Sequence, residues 1–116
     1  MDHALTRLQA GLVESMAVKQ AMLDDRPLLQ TLLQLAERIV RSLREGGRVL
    51  WAGNGGSAAD AQHLAAEFVS RFAFDRPGLP ALSLATDTSM LTAIGNDYGY
   101  EQLFRRQLQA QARPGD

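Results

Sequence analysis

The stretch Arg48–Phe68, RVLWAGNGGSAADAQHLAAEF, decides how the rest of the chain is read. Arg48-Val49-Leu50-Trp51-Ala52 is a short apolar run bounded by glycines, too short for a helix and typical of a strand buried on both faces of a parallel sheet. Gly53, Gly55 and Gly56 follow at once. Ser57 is then placed to cap a helix that carries Ala61, Leu64, Ala65, Phe68 and Val69 inward and runs to about Phe72. A strand running through a glycine loop into a helix is the opening of an α/β domain.

Working outward, Asp75-Arg76-Pro77-Gly78-Leu79-Pro80 is a turn cluster, and Ala81 to Ala85 reads as a second buried strand joined to the first by a parallel crossover. Asp87-Thr88-Ser89 caps a short helix through Ile94, Gly95-Asn96-Asp97 breaks the chain, and Tyr100 to about Ala112 is helical again. On the other side, Leu5, Leu8, Leu12 and Met16 recur at the period of an amphipathic helix ending near Leu23. Asp25 is the expected N-cap of a second helix, with Pro27 in its first turn and a buried face of Leu29, Leu32, Ala36, Ile39 or Val40, and Leu43; Gly46-Gly47 ends it. Residues 1–46 are therefore read as a helical hairpin and 47–116 as the start of an α/β core. The closing Pro114-Gly115-Asp116 turn announces a further strand, and two parallel strands make a poor sheet alone, so the expectation is the front part of a larger domain.

Composition excludes several function classes. Among 116 residues, 46% are hydrophobic, 22% are charged and the net charge is −1, the balance of an ordinary soluble globular protein. The arginines are scattered among acids and form no basic stripe, so nucleic acid is not an expected partner. Without cysteine there is no disulfide, thiolate nucleophile or Cys-based zinc site. The N-terminus lacks a signal-peptide pattern and no apolar run approaches a membrane span; the expected location is the cytoplasm.

Chemistry concentrates beside the glycine loop. Loop amides at the start of a helix can hold a phosphorylated or polyhydroxylated ligand, with Asn54 and Ser57 adding side-chain hydrogen bonds; a tight turn that needs glycine for its angles alone reads the same way. Gly53–Ala58 also fits the loose dinucleotide fingerprint, but its candidate ribose acid, Asp87, lies 29 residues after Ala58 where about 20 are expected. His63 and Glu67, four apart on one helix, share a face with Asp60 and can converge on a metal, or form a solvated pair. Asn96-Asp97 would lie at the carboxyl edge of the sheet, and Arg71 and Arg76 could pair with phosphate.

Taken together, GNGGSAADAQHLAAEFVSRF and DRPGLPALSLATDTSMLTAIGNDYGYEQLFRRQL resemble the phosphoheptose isomerases of the sugar isomerase (SIS) domain superfamily, densely from about Gly46 to the end. The resemblance implies a three-layer, flavodoxin-like parallel sheet, with long N-terminal helices packing between subunits of a homotetramer. It implies interconversion of sedoheptulose 7-phosphate and a heptose 7-phosphate, the first step toward the heptose of lipopolysaccharide or related surface glycans. Carried over by position, Asn54, Gly55, Gly56, Ser57, Asn96 and Asp97 would contact the sugar phosphate, His63 and Glu67 would bind zinc, and Glu67 would also be the catalytic base. Family members continue with a third strand, a Ser/Thr-rich phosphate loop, and a late glutamine and histidine that complete the zinc site. His3 cannot replace these, so the chain alone is expected to be inactive, with half a metal site. The competing expectation is a non-catalytic SIS-domain protein, either a phosphosugar-sensing regulator or a relative that associates with the bacterial replication initiator; Glu67 favours catalysis.

Overall fold

The computed structural model describes residues 2–116. The chain divides into two compact units, the first ending at Arg38 and the second running Ile39–Asp116. Helix α1 spans Asp2–Asp24 and α2 spans Arg26–Arg44; the boundary between units falls within α2 and not at Gly46. The Asp25 carboxylate accepts from the Leu28 amide at 3.0 Å, so this residue caps α2 as its position predicts. At the other end, Gly46 at φ 85° lets the Gly46 and Gly47 amides turn back to the Leu43 and Ser42 carbonyls, which closes the helix with its last acceptors satisfied.

The hairpin expectation needs correction. An αα-hairpin takes a loop of about two to five residues. Only Asp25 separates α1 from α2, and the Asp25 amide still bonds to Met22 while its carbonyl accepts from Leu29. Neither helix buries a residue: Leu5, Leu8, Leu12 and Met16 of α1 and Leu29, Leu32 and Val40 of α2 are exposed, and Ile39 and Leu43 are half-buried. The expected faces exist as stripes of side chains, but none of their residues is buried among the described residues.

In the second unit, β1 (Val49–Trp51) and β2 (Ala81–Ser83) are parallel, with Val49 opposite Ala81 and Trp51 opposite Ser83. Bonds from Val49 to Pro80 and from Leu84 to Trp51 extend the ladder at both ends. Helix α3 (Gly56–Val69) packs on both strands through Ala61 and Ala65, whose small side chains let the helix axis come close to the sheet. Trp51 meets Phe68 at a ring-centroid distance of 5.8 Å. Leu64 and Val69, expected inside, are exposed, because the described sheet is only two strands wide and covers a correspondingly narrow stripe of the helix.

Two further helices complete the unit. Helix α4 runs Thr88–Tyr98, capped by Asp87, whose carboxylate accepts from Met90 at 2.8 Å. A 3₁₀ turn at Tyr100–Gln102 leads into α5, Leu103–Gln111. Gly95-Asn96-Asp97 does not break the chain. Gly95 lies inside α4 against Leu103, and the helix stops instead at Gly99, whose φ of 95° is the left-handed geometry that favours glycine. Ala81, Leu84, Ile94 and Leu103 join the α3 alanines as the buried core, and one polar residue lies among them. That residue is Gln107, whose amide donates to the carbonyls of Leu84 and Leu103 and so ties α5 to the end of β2.

The chain after α5 returns to the start of β1. Asp116 accepts from the Arg48 backbone amide at 3.0 Å and pairs with its guanidinium at 2.8 Å, while the Arg48 guanidinium also donates to the Gln111 carbonyl. These bonds hold the Asp116 carboxyl well below its usual range, at about 2. After α3, Ala73 takes φ 64° between Phe72 and Phe74, whose backbones bond across it at 2.8 Å, a strained γ-type turn that leaves both rings exposed.

Candidate functional site

Two separate groups of polar side chains stand out in the α/β unit, one at each end of α3. The first surrounds the glycine loop. Gly53 approaches the first turn of α3 so closely that a Cβ would lie 2.3 Å from the Ser57 carbonyl oxygen, and Gly55 has φ 57°. Both positions demand glycine. Ser57 and Ala58 bond back to the Asn54 and Gly55 carbonyls, whereas the Gly55 and Gly56 amides donate to no group among the described residues. Ser57 does not cap the helix; the cap position is Gly55, which has no side chain to offer, so the Gly55 and Gly56 amides remain available.

This loop forms one wall of an open cavity of ≈ 380 Å³. Asn54, Gly55 and Ala58 face Leu91, Thr92 and Gly95 of α4, with Tyr100, Leu103 and Phe104 closing the third side. The walls are mainly apolar with a few polar groups, the usual make-up of a small-molecule site. The Tyr100 hydroxyl donates to Asn54 Oδ1 at 3.1 Å, a bond between residues 46 apart in the chain. Tyr100 and Thr92 carry no sequence signal of their own, and only the packing of α4 and α5 brings them to the loop.

Near the far end of α3, His63 Nε2 lies 3.1 Å from Glu67 Oε1. The imidazole is three-quarters exposed and the carboxylate about one-third, with side-chain values of 75% and 31%. The four-residue spacing thus yields the expected convergence on one face. Among the described residues no third His, Cys, Asp or Glu, Asp60 included, joins them as a metal-binding cluster. An imidazole nitrogen and a carboxylate oxygen are a donor pair that zinc accepts, and they supply two of its usual four ligands. Arg76 fixes this end of the helix, its guanidinium donating to the Glu67 and Phe68 carbonyls at 2.8 and 2.9 Å. It is therefore engaged as a helix cap and not as a free phosphate partner.

The other predicted residues lie elsewhere. Asn96 and Asp97 are exposed on the last turn of α4, bonded to each other at 2.9 Å, and do not border the cavity. Because α4 continues through Gly95, it turns Leu91, Thr92 and Gly95 toward the loop and the next two residues away. Gly56 and Ser57 follow the cavity wall without lining it. The Asp87 carboxylate is occupied as the α4 cap, which removes the ribose partner that a dinucleotide reading requires.

Comparison with known proteins agrees with this architecture. Residues 15–116 match the SIS domain family. Curated relatives include the phosphoheptose isomerase of Burkholderia pseudomallei strain K96243, 62% identical over 115 residues, covering 99% of this chain and 58% of that protein. The phosphoheptose isomerase of Aneurinibacillus thermoaerophilus is 59% identical, with 94% of this chain and 55% of that protein covered. The chain thus spans little more than half the length of the curated relatives it matches. Among solved structures, the phosphoheptose isomerase of Neisseria gonorrhoeae superposes with a TM-score of 0.84 at 45% identity, over 96% of this chain and 56% of that one. That of Francisella tularensis gives 0.85 at 34%, over 92% and 55%. Among the described residues, no helix is long and apolar enough to cross a membrane.

Proposed function

The chain belongs to the SIS domain family, and from that premise we propose that it forms the front part of a phosphoheptose isomerase, interconverting sedoheptulose 7-phosphate and a heptose 7-phosphate. The observation that carries this reading is the His63–Glu67 pair, an accessible carboxylate one helical turn from an imidazole at 3.1 Å. Moving a carbonyl between adjacent sugar carbons requires removal of a proton alpha to it, an enediol, and return of a proton to the neighbouring carbon. Glu67 is the group that takes the first proton, and His63 orients it through their hydrogen bond. A zinc ion held by the same two side chains, with further ligands from beyond residue 116, would polarise the sugar carbonyl and stabilise negative charge developing on its oxygen.

The glycine-loop cavity takes the hydroxylated part of the sugar. The free Gly55 amide and the Asn54 side chain on the wall, with Gly56 and Ser57 next to them in the loop, offer hydrogen bonds suited to hydroxyl oxygens, and no ionised side chain lines the walls. Asn96 and Asp97 extend the substrate contacts from the exposed end of α4. The complete domain is a three-layer, flavodoxin-like sheet in which the unpaired edges of β1 and β2 find neighbours. Exposed apolar stripes on α1 and α2 support a homotetramer assembled through these helices. We place the enzyme in the cytoplasm, at the first step toward the heptose of lipopolysaccharide or related surface glycans.

The test is isomerisation in D₂O by the protein expressed from its whole reading frame, read by NMR. Conversion of sedoheptulose 7-phosphate with deuterium entering the carbon beside the carbonyl, abolished in Glu67→Gln, is the expected result. Absence of both conversion and exchange in the zinc-loaded wild type would sink the proposal in favour of a binding protein.

A further inference from the structure

We infer that Tyr100 is a positioning residue that fixes which end of the Asn54 amide faces the glycine-loop cavity, an inference that rests on the sugar-binding role proposed for that loop. The Tyr100 hydroxyl donates to Asn54 Oδ1 at 3.1 Å. With its oxygen engaged, the amide presents Nδ2, a donor, to whatever occupies the cavity. Without that bond, rotation about the terminal torsion presents oxygen or nitrogen with little preference, because this torsion is broad and roughly two-fold.

The other polar side chain on the cavity wall makes this orientation matter. The Thr92 hydroxyl donates to the Thr88 carbonyl at 2.6 Å within α4, so it meets a ligand as an acceptor. Tyr100, having spent its proton on Asn54, likewise presents only lone pairs. Asn54 Nδ2 is thus the one side-chain donor among the polar groups lining the cavity, set against two hydroxyl acceptors. A sugar hydroxyl both gives and accepts a hydrogen bond, and this array can satisfy both halves of neighbouring hydroxyls. A flipped Asn54 would turn Oδ1 to the ligand and Nδ2 to Tyr100, moving the side-chain donor from the amide to the freed phenol hydroxyl and so changing where a sugar hydroxyl can be accepted. Tyr100 itself is held in place from below: it opens the 3₁₀ turn directly after Gly99, and Gln102 bonds back to the Gly99 carbonyl.

The experiment compares wild type, Tyr100→Phe, Asn54→Ala and the double variant, each expressed from the whole reading frame. Two quantities are read: the Asn54 side-chain amide signals in ¹⁵N NMR without ligand, and the dissociation constant for sedoheptulose 7-phosphate. Tyr100→Phe keeps the ring and removes the hydroxyl, so it should shift the Asn54 amide signals and weaken binding about fivefold. In the Asn54→Ala background the same change should weaken binding by less than about twofold. Unmoved Asn54 signals, or an equal loss in both backgrounds, would overturn the inference. If the wild type binds no sedoheptulose 7-phosphate, the sugar-binding role fails, and the amide signals alone decide whether Tyr100 sets the orientation of Asn54.

Discussion

The two units of this chain read alike in sequence and behave differently in structure. Helix α1 and the α/β unit both carry apolar residues at helical spacing, yet α1 buries none of them, while Ala61, Ala65, Ala81, Leu84, Ile94 and Leu103 form a core in the second unit. Periodicity specifies that a face exists. Burial needs a second surface that the same chain brings to it, and in the α/β unit parallel strands joined through a helix supply one.

Substitutions can break or sharpen this contrast. Glu67→Gln should lower isomerase activity by roughly 10³-fold with little change in unfolding temperature, since the side chain is part-exposed and, among the described residues, bonded only to His63. A loss of stability as large as the loss of rate would instead make Glu67 structural. Leu103→Ala, at 6% exposure, should cost about 2–4 kcal/mol in denaturant unfolding. Leu12→Ala, at 67% exposure, should change monomer stability by no more than about 0.5 kcal/mol. If Leu12→Ala destabilises strongly and in a protein-concentration-dependent way, a second subunit covers α1.

A smaller effect separates two glutamines. Gln107→Ala removes the donor to the buried Leu84 carbonyl and should cost about 1–3 kcal/mol. Gln20→Ala loses an exposed bond to Asp24 on α1 and should cost no more than about 0.5 kcal/mol. Equal costs, measured by urea unfolding, would mean that α1 is as tightly specified as the core.

The last test is a titration. Asp116 is lowered from 3.8 to about 2 by its bonds to Arg48 and Arg113, so it binds protons more weakly when folded than when unfolded. Its contribution is present above about pH 4 and disappears as the pH falls through about 2. Asp116→Asn should therefore flatten the acid limb of the stability profile in that window and leave activity near neutral pH unchanged. A profile identical to wild type would show that the Arg48 clamp adds nothing measurable.

Local signals in the sequence served well where one residue type does one job. Asp25 and Asp87 cap their helices, Gly46-Gly47 ends α2, and His63 and Glu67 meet at the distance that their spacing implies. The failures occur where a residue has two uses. Gly95 reads as a breaker, but inside α4 it sits against Leu103, and packing outweighs its low helix propensity. Ser57 reads as a cap, but Gly55 at positive φ starts the helix two residues earlier. The bond from Tyr100 to Asn54 was beyond reach for a different reason: it depends on the angle at which α4 and α5 meet the loop, which no local pattern encodes.

One feature of the cavity bears on ionic strength. Its walls, from the glycine loop to Phe104, contain no ionised side chain, and Arg76, at the opposite end of α3, is engaged in capping that helix. A ligand seated there is held by amide and hydroxyl dipoles at close range, which dissolved ions screen little, whereas exposed charges lose their reach beyond about 8–10 Å at ordinary salt. Any steep salt dependence of sugar-phosphate binding therefore reports on charges outside this cavity, and the residual affinity at high salt measures what the glycine loop contributes.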